Sequence, residues 1–124
     1  MKKLSLFLIA LMAIVFNSGL SAQNPKTAEL EIKTSAQCNM CKETIEKAMA
    51  FEKGVTKANL DVETKILKVT YKLNKTTPDL IRKAVTAVGY DADDLPADEK
   101  AYSNLSDCCK KPEDQQSDHS GHDH

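Results

Sequence analysis

Apolar and polar residues alternate over residues 28–35, with Leu30, Ile32 and Thr34 set against Glu29, Glu31 and Lys33. A period of two predicts a strand with one buried face. The period then changes. Cys41, Ile45, Ala48 and Met49 fall at i, i+4, i+7 and i+8, which is one face of a helix over 42–51. Asn39 is placed to cap that helix, Glu43 and Lys47 form an i, i+4 pair on its outside, and Gly54 ends the segment. Residues 55–62 and 66–73 read as two more strands, joined through Glu63, Thr64 and Lys65 as a hairpin. Thr76-Thr77-Pro78 is a helix-start signal, followed by an apolar stripe of Ile81, Ala84, Val85 and Val88 and a closing Gly89. Residues 90–95 read as a short last strand, and Pro96 ends it.

The order strand, helix, strand, strand, helix, strand predicts an α+β fold. It is the ferredoxin-like βαββαβ sandwich, a four-stranded antiparallel sheet with two helices on one face. A domain spanning 28–95 has about 70 residues, near the lower limit for a stable single core, so a bound metal is expected to help it.

Both ends of the chain differ from this middle. Lys2 and Lys3 precede an almost unbroken apolar run over 4–16, which Asn17, Ser18 and Gly19 break. That is the layout of a secretory signal peptide over 1–22, with cleavage after Ser21 or Ala22. The run is shorter than the roughly 18–20 residues of a spanning helix, so no stable membrane insertion is expected after cleavage. Residues 23–27 form a lead-in. A periplasmic or secreted location follows. Residues 96–124 are polar, with few apolar side chains after Leu105, and read as a disordered tail with a brief helical turn over 101–105. Loss of Lys2 and Lys3 with the leader, and of no acid, takes the formal charge from −1 to −3. With no basic stripe and only 5% aromatic residues, nucleic acid is not an expected partner.

The chemistry lies in the cysteines. Cys38-Asn39-Met40-Cys41 sits where the first strand gives way to the first helix. Two sulfurs at this spacing can converge on a soft metal ion or on each other as a redox disulfide. Cys41 falls in the first helical turn, where free N–H groups and the helix dipole favour a thiolate. Two soft thiolates suit Cu(I) or Hg(II), whereas Zn(II) usually takes four ligands and would keep open positions. The redox alternative is a thiol–disulfide oxidoreductase of the thioredoxin type. That fold also carries Cys-x-x-Cys at a strand-to-helix junction, but the element order after the motif differs here, and no Trp-Cys-Gly signal is present. The expected protein is therefore not an enzyme.

The tail adds a second set. Cys108 and Cys109 are adjacent, and a disulfide between them would close a strained ring. Meeting Cys38 and Cys41 instead, they would make a four-sulfur site suited to Zn(II) or polynuclear Cu(I). All three histidines, His119, His122 and His124, lie in the last six positions beside Asp118 and Asp123, where neutral imidazoles can bind Cu(II), Ni(II) or Zn(II). A polar tail without function is the alternative.

With Cys-x-x-Cys in the loop after strand one of a βαββαβ chain, residues 28–95 resemble a heavy-metal-associated domain. Gly54-Val55, Val69-Thr70-Tyr71 and Gly89-Tyr90 carry the resemblance further. It implies an exported Cu(I) chaperone or sequestering protein with Cys38 and Cys41 as ligands, or a mercury- or zinc-binding protein of the same fold. It also implies a partner such as a metal-transporting ATPase or an efflux system. The family motif is Gly-Met-x-Cys-x-x-Cys, and here Ser35 and Ala36 stand where the Gly and Met would be. The resemblance gives that methionine a buried supporting role, so Ala36 implies a looser loop. It also places Tyr90 behind the ligands, facing the site.

Overall fold

A computed structural model describes residues 26–115. The predicted leader and the three histidines lie outside the described residues. Three strands form an antiparallel sheet: β1 (Thr27–Lys33), β2 (Val55–Asp61) and β3 (Ile66–Lys72), in the order β1-β3-β2. The pairing stacks apolar residues in three cross-strand rows: Ala28, Tyr71 and Val55; Leu30, Val69 and Ala58; Ile32, Leu67 and Leu60. One face of the sheet is therefore apolar, as the two-residue period predicts. On the other face Glu31 lies opposite Lys68 with 3.8 Å between charged atoms.

Two helices cover the apolar face. Helix α1 (Asn39–Phe51) buries Cys41, Ile45 and Met49, and α2 (Pro78–Ala87) buries Ile81 and Val85. These side chains join the strand residues in one core cluster. Thr77 caps α2 by accepting from the Leu80 N–H at 3.3 Å, with Pro78 in the first turn.

Three local expectations are corrected. Asn39 does not cap α1: the helix begins with it, and Cys38 is the capping residue in extended conformation. The ion pair on α1 is Lys42–Glu46 at 2.6 Å rather than Glu43 with Lys47. The edge of β2 explains the choice. Lys42 Nζ donates to the Leu60 carbonyl at 2.7 Å, and Glu46 Oε1 accepts the Leu60 N–H at 2.9 Å, so the pair satisfies backbone groups left free at a sheet edge. Third, residues 90–95 supply two isolated bridges, Ala92 to Thr34 and Ala92 to Leu95, in place of a fourth strand. Asp93 turns the chain away at once with φ 51. Its carboxylate accepts the Lys33 N–H at 2.9 Å, taking the place that a strand carbonyl would fill, and its other oxygen accepts from Arg82 Nε at 2.8 Å.

The largest departure concerns the tail. Over 97–115 it is ordered, with α3 (Glu99–Ser103), a 3-10 turn (Asp107–Cys109) and α4 (Pro112–Gln115). Polar composition removes the means to build a separate core, but this segment borrows the core of the domain. Cys109 is buried within it and Leu105 packs on it. Polar contacts hold the rest. Asp91 accepts the Ala97 N–H at 2.9 Å and pairs with Lys111 Nζ at 2.8 Å, and the Asp98 N–H reaches the Thr86 carbonyl at 3.0 Å. Lys111 N–H in turn donates to the Tyr102 hydroxyl at 2.8 Å, and that hydroxyl donates to Asp114. Helix α3 lies directly on Gly89, where an added Cβ would stand 3.0 Å from the Ala101 backbone.

Gly89 also holds φ at +100, a conformation that costs an L-residue about 1–2 kcal/mol. Gly89→Ala should therefore lower the urea-unfolding free energy by about 1–3 kcal/mol, because strain and the close approach of α3 add. Limited proteolysis of that variant should cut first between residues 97 and 115. An unchanged unfolding midpoint would show that neither constraint operates.

Candidate metal centre

The loop that follows β1 is fixed from several sides. Thr34 N–H and Thr34 Oγ1 both donate to the Lys65 carbonyl at 2.9 Å, and Thr34 Oγ1 accepts the Ala36 N–H at 3.3 Å. Ser35 Oγ accepts the Asp91 N–H at 2.9 Å. Ala36 is fully buried, and so is Tyr90. The looser loop expected from Ala36 is not what these contacts describe: backbone hydrogen bonds hold the loop where a large side chain is missing.

This support sets the two cysteines differently. Cys41 points inward from the first turn of α1 and is fully buried, whereas Cys38 stands at the cap, half-buried. Their sulfurs are 3.4 Å apart. The 3-10 turn of the tail brings two more sulfurs to Cys38: Cys108 Sγ at 3.5 Å and Cys109 Sγ at 3.7 Å, which are 4.0 Å from each other. Cys38, Cys108 and Cys109 lie within 4.8 Å of one another. Met40 Sδ is 4.0 Å from Cys108 Sγ at the exposed side. All four cysteines are free thiols.

Charge is distributed unequally over the cluster. Partial burial works to raise the pKa of Cys38. The Cys41 backbone N–H and the thiols of Cys41, Cys108 and Cys109 outweigh it and lower the pKa from 9.0 to about 7. Cys108 is pushed up, first by its contact with the Cys38 sulfur. Cys109 is pushed up by burial and then by Cys41. Burial, and then the Cys109 and Cys41 sulfurs beside it, also push Tyr90 up. Its hydroxyl is buried without a hydrogen-bond partner. A buried hydroxyl that keeps its proton next to sulfur is a donor waiting for negative charge. Cys38 is thus the sulfur whose thiolate is favoured, beside Cys108 and Cys109, whose thiols are shifted the other way.

The structure brings together Cys38, Cys41, Cys108, Cys109 and Tyr90 from the residues singled out in the sequence. The contacts that carry the tail to the site, Lys111 with Asp91 and α3 with Gly89, were not among them. Lys110-Lys111-Pro112 after the cysteine pair is the one sequence signal that could have suggested an ion-paired anchor.

The heavy-metal-associated domain matches residues 34–91. The mercuric transport protein periplasmic component of Shewanella putrefaciens is 37% identical over 83 residues, covering 66% of this chain and 90% of that protein. The CopZ metallochaperone structure is similar with a TM-score of 0.51 and 26% identity, over 52% of this chain and 98% of that one. Oxidized MerP from Ralstonia metallidurans CH34 gives a TM-score of 0.47 and 29% identity, over 53% of this chain and 96% of that one.

Because thiolate is the reacting species, alkylation of Cys38 in the reduced, metal-free protein should rise with pH and be half-maximal near 7. Cys108, although exposed, should lag behind it at neutral pH, because contact with Cys38 raises its pKa. Peptide mapping after timed iodoacetamide pulses would read both rates. Cys108 reacting ahead of Cys38 at pH 7 would overturn this charge distribution.

Proposed function

This chain belongs to the heavy-metal-associated domain family, and from that premise we propose that it is an exported carrier of a soft metal ion, with Cu(I) as cargo on Cys38 and Cys41. The observation that carries the reading is the pair of sulfurs 3.4 Å apart across the first turn of α1, one of them with its pKa lowered to about 7. The buried sulfur of Cys41 anchors the ion to the fold. The outer sulfur of Cys38 gives it up, because an incoming thiolate can reach that side. Tyr90 sits behind the pair and supports the charge that collects on sulfur when the ion binds. Similarity to a CopZ metallochaperone supports a carrier of a metal ion.

Hg(II) is the second reading, favoured by the 37% identity to a mercuric transport protein periplasmic component. Both ions are soft and accept two thiolates, so the centre alone gives either the same ligands. The leader-like N-terminus and the periplasmic relative support a location outside the cytoplasm, with a metal-transporting ATPase or an efflux system as partner. His119, His122 and His124 would add capacity for harder ions at neutral pH and lose it as they protonate below about 6.5.

Competition titrations of the reduced mature protein with Cu(I) and Hg(II) test this. Loss of a residue behind the ligands commonly costs 10–100-fold in metal affinity, so Cys38→Ser/Cys41→Ser should cost more than about 100-fold for the physiological ion. The same preparation should show only background in an insulin-reduction assay. Unchanged affinity in the double variant would contradict the ligand assignment, and clear turnover with insulin would favour an oxidoreductase.

A further inference from the structure

We infer that Cys108 and Cys109 join Cys38 as ligands of the same ion, and that the tail is a releasable clasp that raises its coordination to three or more sulfurs. The inference rests on the reading of Cys38 as a metal ligand given above. The family match covers residues 34–91, and the clasp lies beyond it.

The sulfur geometry is the first argument. With metal–sulfur bonds of about 2.3 Å, a three-coordinate ion lies in a sulfur triangle of edge about 4.0 Å, whereas a linear two-coordinate ion needs sulfurs about 4.6 Å apart. The triangle of Cys38, Cys108 and Cys109 has edges of 3.5, 3.7 and 4.0 Å. Each edge is within about 0.5 Å of the three-coordinate value. Cys38 and Cys41, at 3.4 Å, would have to spread by more than about 1 Å for linear binding. The centre therefore accepts a third sulfur with less movement than it needs to hold an ion on two. Cys41, 3.4 Å from Cys38, lies outside that triangle.

The second argument is that the tail is brought to the site independently of sulfur. Lys111 and Ala97 both bind Asp91, Asp98 binds Thr86, and α3 rests on Gly89. These contacts are mostly polar and partly exposed, and a partly exposed pair such as Lys111–Asp91 is a weak tie. A segment held this way can lift. Cys108 is exposed, so it is the sulfur that an acceptor thiolate replaces first. Binding moves no electrons: as each thiol forms its bond to the metal, its proton passes to water.

Two roles follow. While docked, the clasp keeps the ion from adventitious thiols. When lifted, it leaves the ion on the two sulfurs of Cys38 and Cys41, open to an acceptor thiolate.

The test is X-ray absorption of the reduced mature chain carrying one equivalent of Hg(II), with release to a competing thiol timed in parallel. Three or more sulfurs per ion are expected in the natural chain and two in Cys108→Ser/Cys109→Ser. That variant should still bind one ion and release it at least about tenfold faster. Lys111→Ala, which keeps all four sulfurs, should also speed release. Two sulfurs in the natural chain, or an unaltered count and release rate in the double serine variant, would overturn the clasp while leaving the two-sulfur carrier intact. A natural chain that binds no ion would instead remove the reading on which the clasp rests.

Discussion

Everything at this centre depends on how the chain turns from β1 into α1. Thr34 closes the strand against the Lys65 carbonyl, Ser35 ties the loop to Asp91, and Ala36 is buried beneath it. Those contacts leave Cys38 no place but the helix cap, with its sulfur facing the Cys41 backbone N–H. A helix start gathers free N–H groups and the positive end of the dipole, so negative charge is favoured there. The same turn buries Cys41 in the core and leaves Cys38 accessible. One geometric constraint thus fixes the position of the pair, favours the thiolate on its outer member, and leaves that member accessible.

The tail extends that logic. Burial, and then the Cys41 sulfur, push Cys109 up, and contact with the Cys38 sulfur pushes Cys108 up, while hydrogen bonds from the Cys41 backbone and the neighbouring thiols lower Cys38. A soft cation resolves the conflict, because it neutralises charge on every sulfur it bonds. The buried, unpartnered Tyr90 hydroxyl fits the same account, since negative charge on Cys41 or Cys109 would give it an acceptor. The arrangement makes sense as a centre whose polar groups are satisfied when an ion is present.

Much of this was legible in the sequence, for definable reasons. The two-residue and 3.6-residue periods place β1, β3, α1 and α2, because each buries one continuous face against the same core. Cys-x-x-Cys at the strand-to-helix junction marks the centre by position and chemistry together. Apart from the cap of α1, the misses share one cause: contacts between residues far apart in sequence. Asp93 has the composition of a turn residue, but only the fold shows its carboxylate standing in for a strand carbonyl at Lys33. Lys42 prevails over Lys47 because the edge of β2 lies beside it. The tail has too few apolar residues to suggest order, and its order comes from a core built by other segments. Gly89 reads as a helix stop. Its second role, as the seat for α3, cannot be seen without the tail in place.

Cys38 is the sulfur common to the contacts with Cys41, Cys108 and Cys109, at 3.4, 3.5 and 3.7 Å. These contacts rank Cys38 first among the four cysteines. The most direct measurement is the Cu(I) and Hg(II) affinity of the four single Cys→Ser variants of the mature protein, determined under reducing conditions against the same competitor. Cys38→Ser should lose the most affinity for the preferred ion, and Cys108→Ser, at the exposed edge, less. A Cys38→Ser protein that binds both ions as tightly as the natural chain would contradict a metal centre built around that residue.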